Sequence, residues 1–238
     1  MRYQKKPFLN ALIAKLLNSG NTERRTARLL QCSKTTVAKK RLWLYLHKEK
    51  ASFSEADFQH IQIDELETIE HTKLKPLTVP ICVSHNYKIL EITIGKLKAK
   101  GHLAQIALKK YGQRKDERKE ALTELFENLK KNHKTSPLTI TTDSHPLYAG
   151  LVKKYFPKSK HIQIVSEEII KKKRELVYTA ARKKVFDPLF ALNQRFAMLR
   201  SDIGRLARRS WCTTKKIENL RHHLEIYKLY NNAHLPRA

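Results

Sequence analysis

HIQIDELETIEHTKLKPLTVPICVSHNYKILEITIGKL, running from His60 to Leu97, is the stretch whose reading decides the fold. It opens on the alternating run His60 to Asp64, in which Ile61 and Ile63 share one face of a strand and Gln62 and Asp64 lie on the other. Asp64 then stands at the far end of that strand. Two further β-rich runs, Leu77 to Ser84 and Ile89 to Gly95, flank His85-Asn86-Tyr87-Lys88, a connection with turn chemistry at Asn86. A three-strand meander carrying a carboxylate is therefore predicted. The same setting recurs at Leu138-Thr-Ile-Thr-Thr-Asp143, a short β-branched run that again ends in Asp. Two strand-end aspartates far apart in sequence point to a metal site.

The chain of 238 residues has a formal charge of +27, unevenly spread. Residues 1–50 hold 13 Lys and Arg against 2 acids, residues 51–170 hold 19 against 15, and residues 171–238 hold 17 against 5. Basic ends around a nearly balanced middle fit a polyanion held by both flanks, and nucleic acid is the polyanion this pattern favours. A hydrophobic content of 41% with clear periodicity argues for a folded domain over a basic tail. The length allows one good core and a small accessory domain. Cys32, Cys82 and Cys212 lie far apart with no Cys-x-x-Cys pair, which argues against a disulfide framework or a zinc site. No apolar run approaches the ~18 residues of a membrane span, and the N-terminus lacks a signal-peptide core and cleavage site. A cytoplasmic chain with no membrane partner is expected.

Ahead of the meander, residues 8–18 carry a helical apolar stripe through Leu9, Leu12, Ile13, Leu16 and Leu17, with Gly20 as the stop. Asn21 or Thr22 can cap a short helix with Ala27, Leu29 and Leu30, and Ser33 a second one from Thr35 to Lys50. This pair resembles a helix-turn-helix, with Ala27 at the crossing, Cys32-Ser33 in the turn and Val37 packing back. Gln31 stands where a glycine often allows the tight turn. On that reading Lys34, Thr35, Thr36, Lys39 and Lys40 form the exposed face that meets base edges and phosphates. Residues 1–50 are then a DNA-binding domain, residues 51–59 a linker, and residues 60–232 a second domain.

After the meander come helices over Ala99 to Tyr111 and Glu117 to Lys131, the strand ending at Asp143, a helix from Pro146 to Tyr155, and a strand at His161 to Val165. A basic helix over Lys171 to Lys184, a break at Phe186-Asp-Pro188, a long helix from Leu189 to about Arg209 and a last helix from Lys215 to Tyr230 complete the chain. Three antiparallel strands followed by alternating helices and strands are the order of an RNase H-like fold: α/β, a mixed sheet flanked by helices. In that fold metal-binding carboxylates sit on the first and fourth strands, where Asp64 and Asp143 fall.

Three blocks now carry a resemblance: Ile63-Asp64-Glu65 ahead of a hairpin, Thr142-Asp143-Ser144 ahead of a helix ending Tyr155-Phe156-Pro157, and the C-terminal run from Asp187 through Arg200, Arg205 and Lys215 to Asn232. Together they resemble the DDE-type transposases of small bacterial insertion sequences, over nearly the whole chain. The resemblance implies phosphoryl transfer on DNA ends with two divalent ions, normally Mg²⁺, held by hard oxygen ligands. Asp64 and Asp143 match the first two family ligands. Registering Leu199-Arg200 on the family pattern puts Asn193 where relatives carry glutamate, and Asp187 is the alternative third ligand. The resemblance also gives Arg200, Arg205, Arg208, Arg209, Lys215 and Lys216 a role as a cationic face for the backbone of the element's ends. Relatives often carry a Cys-rich zinc-binding segment ahead of the helix-turn-helix, and this chain begins too late for one. It further implies a dimer or larger assembly on double-stranded DNA. The rival reading is a catalytically silent DNA-binding protein, either a decayed copy or a regulator. A nuclease of RNA–DNA hybrids is disfavoured by the N-terminal helices. Trp211 reads as core or as a stacking residue, His145 as a phosphate contact or a structural residue, and His222 and His223 as surface residues.

Overall fold

The alternation of the His60 stretch builds a longer ribbon than its apolar pattern suggests. In the computed structural model, which describes residues 5–49, 53–133, 135–164, 187–207 and 212–233, β1 spans His60–Glu70 and β2 spans Thr72–Ser84. The two run antiparallel and reverse at His71, whose φ of 60° makes the tight turn. Because β2 covers β1 along its length, Asp64 lies within the strand and not at its end. Leu77, Val79, Ile81 and Val83 of β2 pack to one side of the sheet, while Ile61, Ile63 and Cys82 pack to the other.

The run from Ile89 to Gly95 is two short strands, β3 (Ile89–Ile92) and β4 (Gly95–Lys96), both antiparallel to β2. Between them the Thr93 amide donates to the Pro80 carbonyl and the Thr93 hydroxyl to that of Ala121, which pins this kink to the neighbouring helix. β5 (Thr139–Asp143) lies parallel to β1, and β6 (Lys160–Ile164) parallel to β5. The sheet order is β3-β2-β1-β5-β6 with β4 beside β2. This α/β architecture, a mixed six-stranded sheet flanked by helices, is compatible with an RNase H-like fold.

One face of the sheet is covered by α6 (Arg118–Asn132) and α7 (Pro146–Tyr155), which bring Leu122, Leu125, Phe126, Leu151 and Phe156 onto Ile61, Ile63 and Ile140. The other is covered by α8 (Phe190–Asp202), a 3-10 turn (Gly204–Leu206) and α9 (Ile217–Ala233), with Leu192, Phe196, Leu199, Leu220 and Tyr227 on the β2 row. Each fully buried aliphatic or aromatic side chain here stabilises the fold by about 1.5–3 kcal/mol. α5 (Leu103–Tyr111) packs mainly through Ala107. The long helix expected over Leu189 to Arg209 instead ends at Asp202, because Ile203 leaves helical geometry and turns fully into the core. The helix expected over Lys171 to Lys184, together with Arg208, Arg209 and Trp211, lies outside the described residues.

At the N-terminus α1 (Leu9–Leu17), α2 (Glu23–Leu29) and α3 (Lys34–Leu46) share a small core of Leu9, Ile13, Leu17, Ala27 and Val37. Thr22 and Ser33 cap α2 and α3 by accepting the amides of Arg25 and Thr36. Gln31, in the turn between them, adopts the left-handed φ of 47° that glycine would take freely. These helices lie directly on α9. Arg41 donates to the Asn219 side chain at 2.9 Å, His223 to the Leu17 carbonyl at 3.0 Å, and the Gly20 amide to Asp202 O at 2.7 Å. Asn232 reaches back to β3, its side-chain amide both accepting from and donating to the backbone of Ile89 at 2.9 Å. Tyr227 and Asn231, one turn apart on α9, form an internal brace: Tyr227 donates to Asp202 at 2.8 Å, and Asn231 accepts from the buried Arg195 at 2.8 Å.

The segment read as a linker contains α4 (Glu55–Gln59), started by a reciprocal Ser54–Asp57 cap and anchored by the buried Phe58. Burial pushes the Asp57 carboxyl up, but donors from Lys88, Ser54 and Asn86 more than reverse this and hold it down to about 2. A folded-state value below the unfolded one contributes stability that is fully present above about pH 4 and is lost as pH falls through 2. Asp57→Asn is therefore expected to lower the melting temperature at pH 6, with the gap to the parent closing between pH 4 and pH 2. A constant gap across that range would show that the charge of Asp57 contributes nothing.

Candidate functional site

β1 and β5 run parallel, with Ile63 opposite Thr142, so one further step along the register sets Asp64 beside Asp143. At that point β5 ends and β1 continues alone with β2, which leaves a notch in the sheet at a strand's carboxyl end, where open α/β sheets commonly hold ligands. The Asp64 carboxylate accepts its neighbour's amide, from Glu65, at 2.7 Å, and the Asp143 carboxylate accepts the amide of His145 at 3.0 Å. Burial pushes Asp64 up to about 6; the Glu65 amide opposes that shift, the charge of Asp143 adds to it, and Arg118 opposes it. Two carboxylates crowded in this way favour a shared cation between them. His145 serves as the cap of α7, its ring nitrogen accepting the amide of Leu147.

On the other face of β1, alternation continues past Asp64 and brings out Glu65 and Glu67. Both are bound by Arg118, at the first turn of α6; it donates to Glu65 and, at 3.1 Å, to Glu67. Thr78 also donates to Glu65 at 3.0 Å. Burial raises Glu65 to about 7 against the pull of Arg118 and Thr78. Tyr148, 1% exposed, stands near enough to Glu65, Asp64 and Asp143 that their charges add to the upward push of burial on its phenol. Arg118 lies more than fifty positions from the acids it serves, in a charged stretch whose sequence gives no sign of it; Tyr148 reads from the sequence only as a helix residue.

The same face of β1 that carries Asp64 carries Gln62, which fastens the start of α8. Its amide donates to Pro188 O at 2.9 Å and accepts the Leu192 amide at 3.0 Å. Asn193 follows at once and is exposed. Its amide nitrogen donates to the Asp187 carboxylate at 2.9 Å, so the two alternative third ligands are hydrogen-bonded to each other. Among the described residues no group of three His, Cys, Asp or Glu side chains is placed to hold a metal ion. Asp64 and Asp143 present hard oxygen donors, the kind of ligand that Mg²⁺ takes together with water and substrate oxygens.

The basic residues divide. Lys34, Thr35 and Lys39 are exposed on α3, and Thr36 is half-buried with its hydroxyl on Ser33 at 2.9 Å. Lys40 is not on that face. It is 5% exposed and donates to the Lys6 carbonyl at 2.8 Å, because the α3 periodicity turns it under the N-terminal segment. Arg205 is likewise no surface cation; it is largely enclosed beside Glu23 and Arg41, and burial first, then the charge of Arg41, lowers it to about 10. Arg200 is half-buried near the end of α8, whereas Lys215 and Lys216 are exposed. His223 is buried, not a surface residue, and His222 stacks on Tyr45 at 4.2 Å.

No family model matches the chain, and no curated protein matches it. Among solved structures it aligns with the simian T-cell lymphotropic virus intasome in complex with PP2A regulatory subunit B56 gamma. That alignment has 10% identity and a TM-score of 0.35, and covers 96% of this chain and 74% of the other. No helix among the described residues is long and apolar enough to cross a membrane.

Proposed function

We propose that the protein is a transposase that binds the ends of an insertion sequence and cleaves and joins DNA strands by Mg²⁺-dependent phosphoryl transfer. The observation that carries the reading is the placing of Asp64 and Asp143 side by side where β5 ends, in a sheet of RNase H-like order. These two residues, with Asn193 or Asp187 as the third, would hold two divalent ions. Bound there, the ions supply Lewis-acid charge for the attacking and leaving oxygens of the phosphate. The protein's own part is to hold the carboxylates in register and to occupy Glu65 with Arg118. The helix-turn-helix reading of α2 and α3, with Lys34, Thr35 and Lys39 on duplex DNA, completes the proposal, as does assembly in pairs on two DNA ends.

A second reading, a catalytically silent DNA-binding protein, is favoured by one observation: the position of the expected glutamate is a neutral amide whose nitrogen is already spent on Asp187. The two readings part on strand cleavage measured against Mg²⁺ concentration, on an oligonucleotide carrying the element's end. With Asn193 as ligand, Asn193→Ala raises the Mg²⁺ needed for half-maximal cleavage and Asn193→Asp lowers it or leaves it equal. With Asp187 as ligand, Asp187→Ala produces the defect and Asn193→Ala is mild. A parent protein inactive at every Mg²⁺ concentration, alongside an active Asn193→Glu variant, establishes the silent reading.

A further inference from the structure

The described structure places an open cleft of about 680 Å³ between α2, the start of α3 and the chain around the 3-10 turn and Thr213–Lys215. Its cations are Arg24, Lys34, Arg205 and Lys215, and its carboxylate is Glu23. That carboxylate is already engaged by Arg41 at 2.9 Å and stands 3.9 Å from Arg205. Two largely enclosed guanidiniums therefore share one acid, which leaves positive charge in the cleft without a counter-ion from the described residues. Neither Arg24, Lys34 nor Lys215 has a carboxylate within ion-pair reach among the described residues; Lys215 donates instead to the neutral Thr213 hydroxyl. In the floor, His223 is 3% exposed and gives its Nε2 proton to Leu17 O, so its Nδ1 is a buried acceptor with no partner among the described residues. A water carried in with an anion satisfies such an atom.

A second cleft of about 440 Å³ shares Glu23, Lys34 and Asn219 with the first and runs on along α3 past Thr35 and Lys39. The path is longer than one phosphate. Among the described residues no Phe, Tyr or Trp lines either cleft, so none of these offers a platform on which unpaired bases could stack. The tip of the β1–β2 ribbon fixes one wall, since the His71 amide donates to Thr214 O at 2.9 Å and its ring to Lys215 O at 2.9 Å.

We propose that one strand of duplex DNA lies with its phosphodiester backbone in this path, from Lys215 and Arg24 to Lys34 and Lys39. The N-terminal helices and the chain that follows α8 then grip a single DNA segment together, and do not bind it as independent units. The inference rests on the DNA-binding part of the function proposed above and gives it a location.

The test is a fluorescence-anisotropy titration of the full chain with a labelled duplex at several salt concentrations. The proteins are the parent, Lys34→Gln, Lys215→Gln, their double variant, and a control carrying Lys109→Gln and Lys110→Gln on exposed positions of α5. Each cleft lysine is expected to contribute about 1 to the slope of log affinity against log salt, so the double variant loses about 2 and the control little. Cys212 lines the cleft and serves as a native reporter; duplex DNA is expected to slow its alkylation, read by mass spectrometry. A parent that binds no duplex at low salt would sink the DNA-binding reading itself. Binding whose slope falls in the α5 control but not in the cleft variants, with Cys212 alkylated as fast as without DNA, overturns the cleft alone. So does displacement of the duplex by millimolar inorganic phosphate at constant ionic strength, which would mark a small-anion pocket.

Discussion

Asp64→Asn and Asp143→Asn are each expected to reduce Mg²⁺-dependent strand cleavage to background while leaving duplex affinity nearly unchanged. Both substitutions keep the size of the side chain and remove a charge that would hold the ions, and neither residue lies in the basic cleft. Loss of several kcal/mol of charge stabilisation in the transition state corresponds to about a thousandfold or more in rate. A control comes from the metal-free fold. Burial and Asp143 hold Asp64 up at about 6, above its ordinary value. Its ionised form therefore weighs against the fold progressively as pH rises through 6, and Asn removes that burden. The Asp64→Asn protein should melt at or above the parent's temperature at pH 7.5 without Mg²⁺, so lost cleavage cannot be ascribed to unfolding. Cleavage that persists in either variant moves the catalytic centre elsewhere.

Lys228→Met is expected to be strongly destabilising. Glu91 on β3 and Lys228 are both enclosed, with 3.4 Å between ammonium and carboxylate and Glu225 a further 3.1 Å contact. Burial pushes Glu91 up and Lys228 opposes that push. Removing the cation leaves an unpaired buried carboxylate, at a cost of roughly 3–5 kcal/mol. The sign with pH follows. The folded-state value of Glu91 rises further in the variant, so its stability is greatest below the unfolded value and is lost as pH rises through the folded one. Urea unfolding at pH 7 and pH 5 should show a smaller gap to the parent at pH 5. Adding Glu91→Gln should recover most of the loss at pH 7. An unchanged midpoint in Lys228→Met would show that the pair is dispensable.

Strands β1 and β5 were legible where side-chain alternation and burial coincide. Ile61 and Ile63 disclose β1, and the β-branched run before Asp143 discloses β5, so the two aspartates were found from their strands. The far half of β1 was not legible, because Glu65, Glu67 and Glu70 look like solvated surface until Arg118 and Arg114 arrive to pair with them. The short strand β4 was hidden in the apolar run from Ile89, where the kink at Thr93 depends on a carbonyl of α6. Charge counting locates the basic ends but could not say which cations face water. Lys40 is consumed by an internal partner far off in sequence, Lys6, and Arg205 is drawn in beside Glu23, which it shares with Arg41. Helix caps at Thr22 and Ser33 were readable because a cap needs only three residues of context.

The way α9 is fastened bears on how the molecule is made. Its side chains close the apolar row of β2, brace α8 through Asp202 and Arg195, receive the N-terminal helices at Leu17 and Arg41, and complete the β3 edge through Asn232. All four partners leave the ribosome before it does. During synthesis the β2 row from Leu77 to Val83 is therefore covered only in part, by α8, until Ala233 has been made. Ribosomes translate at about 5–20 residues per second, so part of that apolar surface stays open to chaperones and proteases for roughly 8–30 seconds per chain. Messages cut short before Ile217 yield products whose β2 row lacks Leu220, Leu224 and Tyr227.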